Sequence, residues 1–415
     1  MPSTDTLRPT APKKAWHVNG YGPFARGPYN EWIWVVWAIL AALGAIGVGQ
    51  RILHGHLPAG YGSYVPWGLW IAVYFHAVGI ATGSFLIGAL GYVFGWRGLG
   101  TPSMLRAVVV LAAAAMFPAF LAVWLDLGHM ERAHRMVTAP SFSSMMTFNA
   151  WMYMAFLGIA GACWLLSFRR RSEWLVPLLL AGAVFAVMIP SQSGAFLGVV
   201  HAKPFWHSPL LPVLFLASSV TAGAATLLVV RAALGPEAFG WAIEDPQREH
   251  DEAIDRLRLV VIGGVAVYVV LEWVEFSFGL WDPREQEGAL ALIVTGPYWW
   301  VFWIVHLAIG TALPLVLLGL SRDRRLWALA ALLVAVTLLS ARLNVLIPGQ
   351  AVPELRGLEA AFQHPRLSYT YHATLMEYLV GCFLVAVGMA AFFLVRRAGA
   401  VLAFRVARGA PEEER

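Results

Sequence analysis

Six ionisable residues lie inside long apolar segments of the chain, where a charge is costly. They are His76, Asp126, Glu272, Glu275, His306 and Glu377. Even on the most lenient insertion scale, a charged side chain at the centre of a bilayer costs about 2.5 to 3.5 kcal/mol. Imidazoles and carboxylates are also the usual groups for proton transfer. We therefore expect these residues to mark a site of proton-linked chemistry.

The composition of the chain indicates that lipid surrounds most of it. Hydrophobic residues make up 59% of the 415 residues and charged residues only 13%, and the mean hydropathy is +0.66. The two cysteines, Cys163 and Cys382, lie in apolar segments, whereas an iron–sulfur cluster needs about four thiolates. We expect no iron–sulfur cluster of its own. The arginines cluster at helix ends, which excludes nucleic-acid binding and is typical of membrane topology signals.

Ten apolar segments are long enough to cross a bilayer, which takes about 17 to 25 helical residues. We number the predicted helices 1 to 10, and the ninth is the shortest. They span residues 32–49, 67–94, 105–125, 148–167, 174–198, 210–231, 257–281, 297–320, 326–341 and 370–395. The sequence thus predicts an all-α integral membrane protein with ten transmembrane helices.

The connections between these helices predict the organisation of the protein. Small-residue segments open helices 2 and 6, so helices 2–5 and 6–9 are interpreted as two four-helix bundles with helices 1 and 10 peripheral. The predicted regions are a cytoplasmic amino-terminal tail (1–31), helices 1–6 (32–231), a cytoplasmic linker (232–256), helices 7–10 (257–395) and a cytoplasmic carboxyl-terminal tail (396–415).

The distribution of positive charge predicts the orientation in the membrane. About three quarters of the Lys and Arg residues lie on the side of both termini, which the positive-inside rule makes the cytoplasm. Helix 2 then runs inward, and His76 lies roughly 14 Å below the outer boundary. Asp126 ends helix 3 at the outer side, and Glu272 and Glu275 share one face of helix 7. The polar residues thus converge on the outer half of the membrane.

Four further polar candidates lie where helices 5 and 9 leave the membrane on that side. Arg342 and Asn344 are expected at the outer surface, and Gln192 and Ser193 follow the helix-breaking Pro190. The inner halves show no series of ionisable side chains, whereas a proton pump would normally show one. We expect proton exchange with the outer aqueous side.

A quinone is the substrate that these residues suit best. Oxidation of a quinol releases two protons, so a base must lie within hydrogen-bond reach of a ring oxygen. His76 and Asp126 are the predicted pair, with Arg342 to balance buried carboxylate charge.

Several alternatives remain open. His76 could serve only in packing, with its ring bonded to a neighbouring backbone carbonyl. His76 and His306 could bind a b-type haem, which we consider the less favoured cofactor. The acids of helix 7 could form a structural salt bridge to an arginine such as Arg342, or extend to the outer interface. A secondary transporter would also suit a pseudo-repeated bundle with buried acids. His201 and His207, in an outer loop, are expected to be solvated or to contact a partner.

Four stretches of the sequence resemble the polysulfide reductase membrane subunits, the NrfD/PsrC family. They are WGLWIAVYFHAVGIATGSF from Trp67, WLDLGHMER at 124–132, the segment from Ser193 to Ala225, and RLNVLIPGQ from Arg342. The order and spacing are similar to those of the ten-helix branch, which includes the membrane anchor of periplasmic hydrogenases and subunits of alternative complex III.

This resemblance implies a role in respiration at the inner membrane of a bacterium. It implies a menaquinone or ubiquinone site near the periplasmic face, close to an iron–sulfur cluster in a ferredoxin-like partner. A catalytic partner, which would be a molybdopterin enzyme, a hydrogenase or a multihaem cytochrome, would hold the terminal substrate site. By motif, His76 and Asp126 match the proton-handling pair. The eight-helix relatives have a Tyr before the Gly of the fifth helix, where this chain has Gln192-Ser193-Gly194, so a tyrosine contact to quinone does not transfer.

Overall fold

The computed structural model describes residues 30–169, 172–239, 245–281, 287–355, 357–362, 364 and 366–408. Within these ranges the protein forms helices and turns and no β-strand. Ten of the described helices are long and apolar enough to cross a membrane, which confirms the predicted all-α, ten-helix fold. They are α1 (Asn30–His54), α2 (Leu69–Val93), α3 (Pro102–Asp126), α4 (Met145–Leu166), α5 (Leu175–Gly198), α6 (Leu211–Leu234), α7 (Pro246–Trp281), α8 (Val301–Leu320), α9 (Arg324–Ala351) and α10 (Leu375–Arg408).

Shorter helices lie in the connections between these ten. They are Met130–Arg132, Arg135–Thr138, Pro204–Trp206, Pro236–Ala238, Glu287–Val294 and Leu358–Ala361. We call the end of the bundle that carries the α1–α2, α3–α4, α5–α6, α7–α8 and α9–α10 connections the outer end, after the predicted topology, and the opposite end the inner end.

Helix α2 lies at the centre of the bundle and packs against α3, α5 and α6. Its closest approach to α6 depends on glycines in both helices. A Cβ added at Gly83 would lie 1.9 Å from the carbonyl oxygen of Ser219, and one at Gly223 would lie 2.2 Å from the backbone nitrogen of Ser84. The spacing of small residues four apart in both helices therefore brings the two backbones into contact.

Helices α1 and α10 pack against each other, and α10 also packs against α3. Gly44 and Gly47 of α1 meet the backbone of α10 at Phe383 and Leu379. Little of α1 is buried, since only 11% of its most apolar window is covered. The arrangement of helices 2–5 and 6–9 as two four-helix bundles stays a prediction.

Helix α7 begins earlier than its hydropathy indicates. Asp245 accepts a hydrogen bond from the backbone nitrogen of Arg248 at 3.0 Å, and Pro246 occupies the first turn, where its missing N–H is not needed. Glu252 then pairs with Arg97 at 3.0 Å. The carboxyl-terminal part of the predicted linker 232–256 is therefore helical, because capping and ion pairs stabilise a polar first part of α7.

Helix α9 extends beyond its predicted end and runs to Ala351. Arg342 and Asn344 lie within this helix and are 5% and 2% exposed, so the predicted exit of helix 9 at these residues is wrong. The end of α9 is held by Gln350, which accepts a hydrogen bond from the backbone nitrogen of Trp67 at 2.9 Å and donates to its carbonyl at 3.1 Å. Neighbouring helices bury these polar residues. A hydropathy scale treats each residue alone and therefore cannot predict this burial.

Helix α8 changes type along its length. Val301–Ala312 is π-helical and Leu313–Leu320 is α-helical. The hydroxyl of Thr311 donates to the carbonyl of His306 at 3.0 Å. π-helical turns are rare in proteins, and those that occur are often at functional sites. His306, which lies in this segment, is therefore a candidate functional residue.

Candidate functional site

The first group of buried polar residues lies between α7, α8 and α9, and we call it the interhelical cluster. It consists of Tyr268, Glu272, Glu275, His306 and Arg342. Nε2 of His306 lies 2.9 Å from Oε2 of Glu272, and the hydroxyl of Tyr268 donates to Oε1 of Glu272 at 3.0 Å. Glu272 is 6% exposed and His306 is 1% exposed. An acid and an imidazole in direct contact and away from solvent can exchange a proton.

Arg342 projects from α9 toward α6. Its Nη2 donates to the carbonyl of Phe215 and to the hydroxyl of Ser219, both at 3.2 Å. The guanidinium carbon lies 3.9 Å from the centre of the Phe215 ring. Its Nε is buried without a hydrogen-bond partner in the described part of the protein. Among the described residues neither acid of α7 forms an ion pair with Arg342, and Glu272 contacts His306 instead.

Glu275 lies one turn nearer the outer end than Glu272. Its Oε2 accepts a hydrogen bond from the hydroxyl of Ser208 at 2.6 Å. A narrow, partly open cavity of about 10 Å³, with room for roughly one water molecule, borders this region. Its lining includes both acids of α7, Tyr268, Arg342 and Phe205. The interhelical cluster therefore faces a narrow recess between helices rather than a closed core.

The second group of buried polar residues lies where α1, α3 and α10 meet, and we call it the outer-end cluster. It consists of Arg51, His56, Tyr61, Asp126 and Glu377. Arg51 is 4% exposed and donates from Nε to the carbonyl of Leu125 at 2.7 Å and from Nη2 to that of Leu127 at 2.8 Å. It thereby satisfies carbonyls at the end of α3 that have no partner within the helix.

The contacts of His56 fix its protonation. Nη2 of Arg51 donates to Nε2 of His56 at 2.7 Å, so Nε2 must carry the lone pair. The proton is then on Nδ1, which lies 2.6 Å from the hydroxyl oxygen of Tyr61 and donates to it. Burial and the neighbouring Arg51 lower the pKa of His56, whereas burial and the nearby charge of Asp126 raise the pKa of Tyr61. The hydroxyl hydrogen of Tyr61 remains available for another acceptor.

The two acids of this cluster differ in how they are held. Glu377 is fully buried; it accepts from the backbone nitrogens of Gly60 and Thr374 at 2.9 and 3.0 Å and from the hydroxyl of Tyr371 at 2.7 Å. Oδ1 of Asp126 is buried and has no hydrogen-bond partner among the described residues. Unpartnered buried polar atoms are rare in folded proteins and call for an explanation.

The structure places the predicted pair, His76 and Asp126, in different surroundings. Nε2 of His76 donates to the carbonyl of Ala335 at 2.7 Å, which leaves Nδ1 as its basic atom. Arg342 is the charged residue near His76, whereas Arg51 and Glu377 lie near Asp126. Within the described ranges no hydrogen bond joins His76 to Asp126.

The remaining predicted residues lie beside these clusters. Ser193 donates to the carbonyl of Ile189 at 3.0 Å. Gln192 is partly exposed and makes no side-chain hydrogen bond to the described part of the protein. Nδ2 of Asn344 is buried and has no partner in those same ranges. It lies one turn before Ile347, which packs in the same apolar cluster as Leu125, the neighbour of Asp126.

Comparison with known sequences identifies the family. The family model described as polysulphide reductase, NrfD, matches residues 59–354. The chain belongs to this NrfD family. The matched region includes α2 to α9 and all the motifs on which the resemblance rests, so that resemblance is confirmed. Arg51, His56 and Glu377 lie outside it.

Three relatives illustrate the range of the NrfD family. A selenate reductase subunit of Mesobacillus selenatarsenatis is 27% identical over 83% of this protein and 88% of its own length. An Hdr-like menaquinol oxidoreductase integral membrane subunit of Archaeoglobus fulgidus is 27% identical over 84% and 88%. A polysulfide reductase subunit of Wolinella succinogenes is 22% identical over 69% and 95%. Such NrfD proteins are membrane subunits of oxidoreductase complexes.

The sequence does not indicate every residue of the two clusters. Arg51 lies in the last turn of a helix and is interpreted as a topology signal, and nothing in the sequence marks His56 and Tyr61 in their loop.

A third group of polar residues, outside both clusters, lies at the inner end. Arg231 is 2% exposed and donates to the hydroxyl of Ser103 at 2.9 Å, which in turn donates to Glu249 at 2.7 Å. Hydropathy gives no signal for such pairs, because each residue lies at a helix end.

The geometry also bears on the haem alternative. Nε2 of His76 is bonded to the carbonyl of Ala335 and Nε2 of His306 to Glu272. Ligation of one haem iron by both imidazoles through Nε2 would require both bonds to break. These two hydrogen bonds would therefore compete with haem ligation.

Proposed function

We propose that this NrfD protein is the quinone-reactive membrane subunit of a respiratory oxidoreductase, with its quinone site at the outer end. The observation that carries the proposal is the buried Oδ1 of Asp126, which has no hydrogen-bond partner in the described structure although Arg51 and Glu377 lie near it. A substrate hydroxyl is the kind of group that would satisfy this atom.

The residues around Asp126 suit a quinone or quinol by their chemistry. A quinol hydroxyl donates a hydrogen bond and a quinone carbonyl accepts one. Within the described ranges, Asp126 offers a free acceptor and Asn344 a free donor at Nδ2. Between their helices lies an apolar cluster that contains Trp70, Leu125 and Ile347. Apolar walls with a few convergent polar groups are typical of small-molecule sites.

Proton release to the outer side is the second part of the proposal, and the position of the outer-end cluster supports it. Asp126 takes the proton of a quinol hydroxyl as general base. Tyr61 and the half-buried His56 lie in the α1–α2 loop near Asp126 and are joined by the bond from Nδ1 of His56. His76 is the second proposed proton acceptor, through Nδ1. In the direction of quinone reduction the same groups deliver protons.

The electrons are proposed to pass to or from an iron–sulfur cluster in a partner subunit, since the two cysteines of this protein are too few to hold one. Three relatives are named as subunits of selenate reductase, polysulfide reductase and menaquinol oxidoreductase, which supports a menaquinone or ubiquinone substrate. The names also support a complex with further subunits, for which we propose a ferredoxin-like iron–sulfur partner and a separate catalytic subunit of the molybdopterin, hydrogenase or multihaem type. The site would face the periplasm of a bacterial inner membrane.

The substitution Asp126→Asn tests the proposed function. It removes the base and keeps the size of the side chain, so we expect quinone-linked activity to be abolished while the complex assembles and artificial-dye activity persists. His76→Gln keeps a donor toward Ala335 and removes Nδ1, and it tests His76 in the same way.

Glu131→Gln is the matched control, because Glu131 is an exposed acid of the adjoining outer connection. Its quinone-linked rate is expected to equal that of the wild type. A normal quinone rate in Asp126→Asn would overturn the assignment.

A further inference from the structure

Two histidine rings lie side by side in the connection between α5 and α6. The ring centres of His201 and His207 are 4.7 Å apart, and the ring planes are inclined by 37°. Both side chains are exposed. From the sequence these residues are expected to be solvated or to contact a partner, and the structure adds that the two imidazoles form a pair.

The backbone fixes which nitrogen of each ring carries the proton. Nδ1 of His201 lies 2.9 Å from the carbonyl oxygen of Val199, and Nδ1 of His207 lies 2.8 Å from that of Gly198. A carbonyl only accepts hydrogen bonds, so both Nδ1 atoms carry the proton and both Nε2 atoms carry a lone pair. This arrangement, with Nδ1–H donating to a carbonyl, is typical of histidines that bind metals through Nε2.

The loop that carries the two histidines is held firmly to the rest of the protein. Trp206 is 3% exposed and donates from Nε1 to the carbonyl of Val345 at 2.8 Å. Nζ of Lys203 lies 2.7 Å from Oε1 of Glu354 and donates to the carbonyl of Gln350 at 3.2 Å. Because α9 anchors the loop on both sides of Pro204–Trp206, the two rings are oriented before any ligand arrives.

The distance between the rings matches that of two imidazoles on one ion. With metal–nitrogen bonds of about 2.0 to 2.1 Å and angles of about 90° to 110°, ring centres lie roughly 4.5 to 5.3 Å apart. We infer that His201 and His207 bind one divalent transition-metal ion, of the Cu²⁺, Ni²⁺ and Zn²⁺ class, through their Nε2 atoms. These are the ions that imidazole prefers.

The site has two protein ligands. The described residues contain no group of three or more His, Cys, Asp or Glu side chains that could hold a metal, so water completes the coordination in the isolated protein. The inference concerns metal binding alone and does not depend on the proposed quinone chemistry. The next residue, Ser208, donates to Glu275, so the ion would lie at the outer rim of the interhelical cluster.

The test is a titration of the purified full-length protein, carrying an affinity tag without histidine, with Cu²⁺, Ni²⁺ and Zn²⁺. The variants His201→Asn and His207→Asn are chosen because the asparagine amide retains a donor near the position of Nδ1 and has no group at Nε2. We expect each variant to bind these ions at least about tenfold more weakly than the wild type, since a second ligand raises affinity through effective concentration. The Cu²⁺ electron paramagnetic resonance spectrum should change from two-nitrogen to one-nitrogen ligation.

The matched control is His134→Asn. His134 is a single exposed histidine whose Nδ1 donates to the carbonyl of Glu131 at 2.7 Å, and its loss should leave the affinity unchanged. Unfolding midpoints without metal show whether each variant is folded. Equal affinity in the wild type and both loop variants, or the absence of saturable binding by all three ions, would overturn the inference.

Discussion

The buried acids differ in the number of hydrogen bonds that hold them. Glu377 accepts bonds from Gly60, Thr374 and Tyr371, whereas Oδ1 of Asp126 accepts none from the described residues. A carboxylate that is fully bonded by the protein is fixed in place, whereas a carboxylate with a free lone pair can bond a substrate. This contrast supports a structural role for Glu377 and a reactive one for Asp126.

The same reasoning separates the two acids of α7, which the sequence leaves equivalent. Glu272 contacts the imidazole of His306, while Glu275 accepts a bond from Ser208. Since Glu272 is the acid paired with a group that can exchange its proton, we expect Glu272→Gln to lower the quinone-linked rate at least about tenfold. Glu275→Gln should lower it less than about threefold. The measurement is steady-state quinol turnover by assembled complexes.

The two isosteric variants control for each other, because both remove one buried charge from the same face of α7. Equal losses in both, or a larger loss in Glu275→Gln, would contradict the assignment of the functional acid to Glu272.

Types of residues are predictable from the sequence, but partners are not. A buried charge stands out against an apolar segment, so Glu272, His306 and Asp126 all emerge as candidates. Nothing in the sequence joins Glu272 to His306, because these residues lie on different helices and their contact depends on how the helices pack. For the same reason the sequence pairs His76 with Asp126, which the structure does not join within its described ranges.

At the level of whole helices, the sequence predicts which segments are helical better than it predicts where each helix begins and ends. All ten predicted spans contain a helix, because the cost of exposing backbone groups to lipid forces apolar segments into helices. The ends of α7 and α9 are missed, since the ion pair of Glu252 and the buried Arg342 and Gln350 stabilise polar helical turns that hydropathy assigns to loops.

The close contact of α2 with α6 predicts that adding a single methyl group at Gly83 strongly destabilises the protein. A Cβ at position 83 would overlap the carbonyl oxygen of Ser219, and this backbone atom cannot move without shifting α6. We expect Gly83→Ala to destabilise the protein by about 3 kcal/mol or more. The measurement is the thermal unfolding midpoint in detergent, together with the yield of monodisperse protein.

Gly263→Ala in α7 is the matched control for helix propensity. A Cβ at Gly263 meets no atom of the described residues within 4 Å, so alanine should be neutral or stabilise by up to about 1 kcal/mol. If Gly83→Ala behaves like Gly263→Ala, α2 and α6 are farther apart than the structure shows.

On the scale of the whole molecule, similar features recur at the ends of α5 and α9. The sequence Ile-Pro-x-Gln occurs at 189–192 and again at 347–350. Gln350 bonds the backbone of Trp67, before α2, and Gly194 packs against Leu211, where α6 begins. If helices 2–5 and 6–9 are repeats, the end of α5 and the end of α9 should each contact the start of the other unit's first helix, as these residues do. A single sequence shows the repeat only faintly, because small residues also serve ordinary helix packing.

The orientation of the bundle in the membrane gives the last prediction. Because the Lys and Arg residues are concentrated on the side of the termini, the α3–α4 connection should face the periplasm and the α8–α9 connection the cytoplasm. Ser143 and Arg322 are exposed in these connections. In spheroplasts, a membrane-impermeant maleimide should label Ser143→Cys but should label Arg322→Cys only after lysis. The wild type is the control, since Cys163 is buried and Cys382 lies within α10. Labelling of Arg322→Cys before lysis, with Ser143→Cys protected, would reverse the orientation and place Asp126 and its proton exchange at the cytoplasmic face.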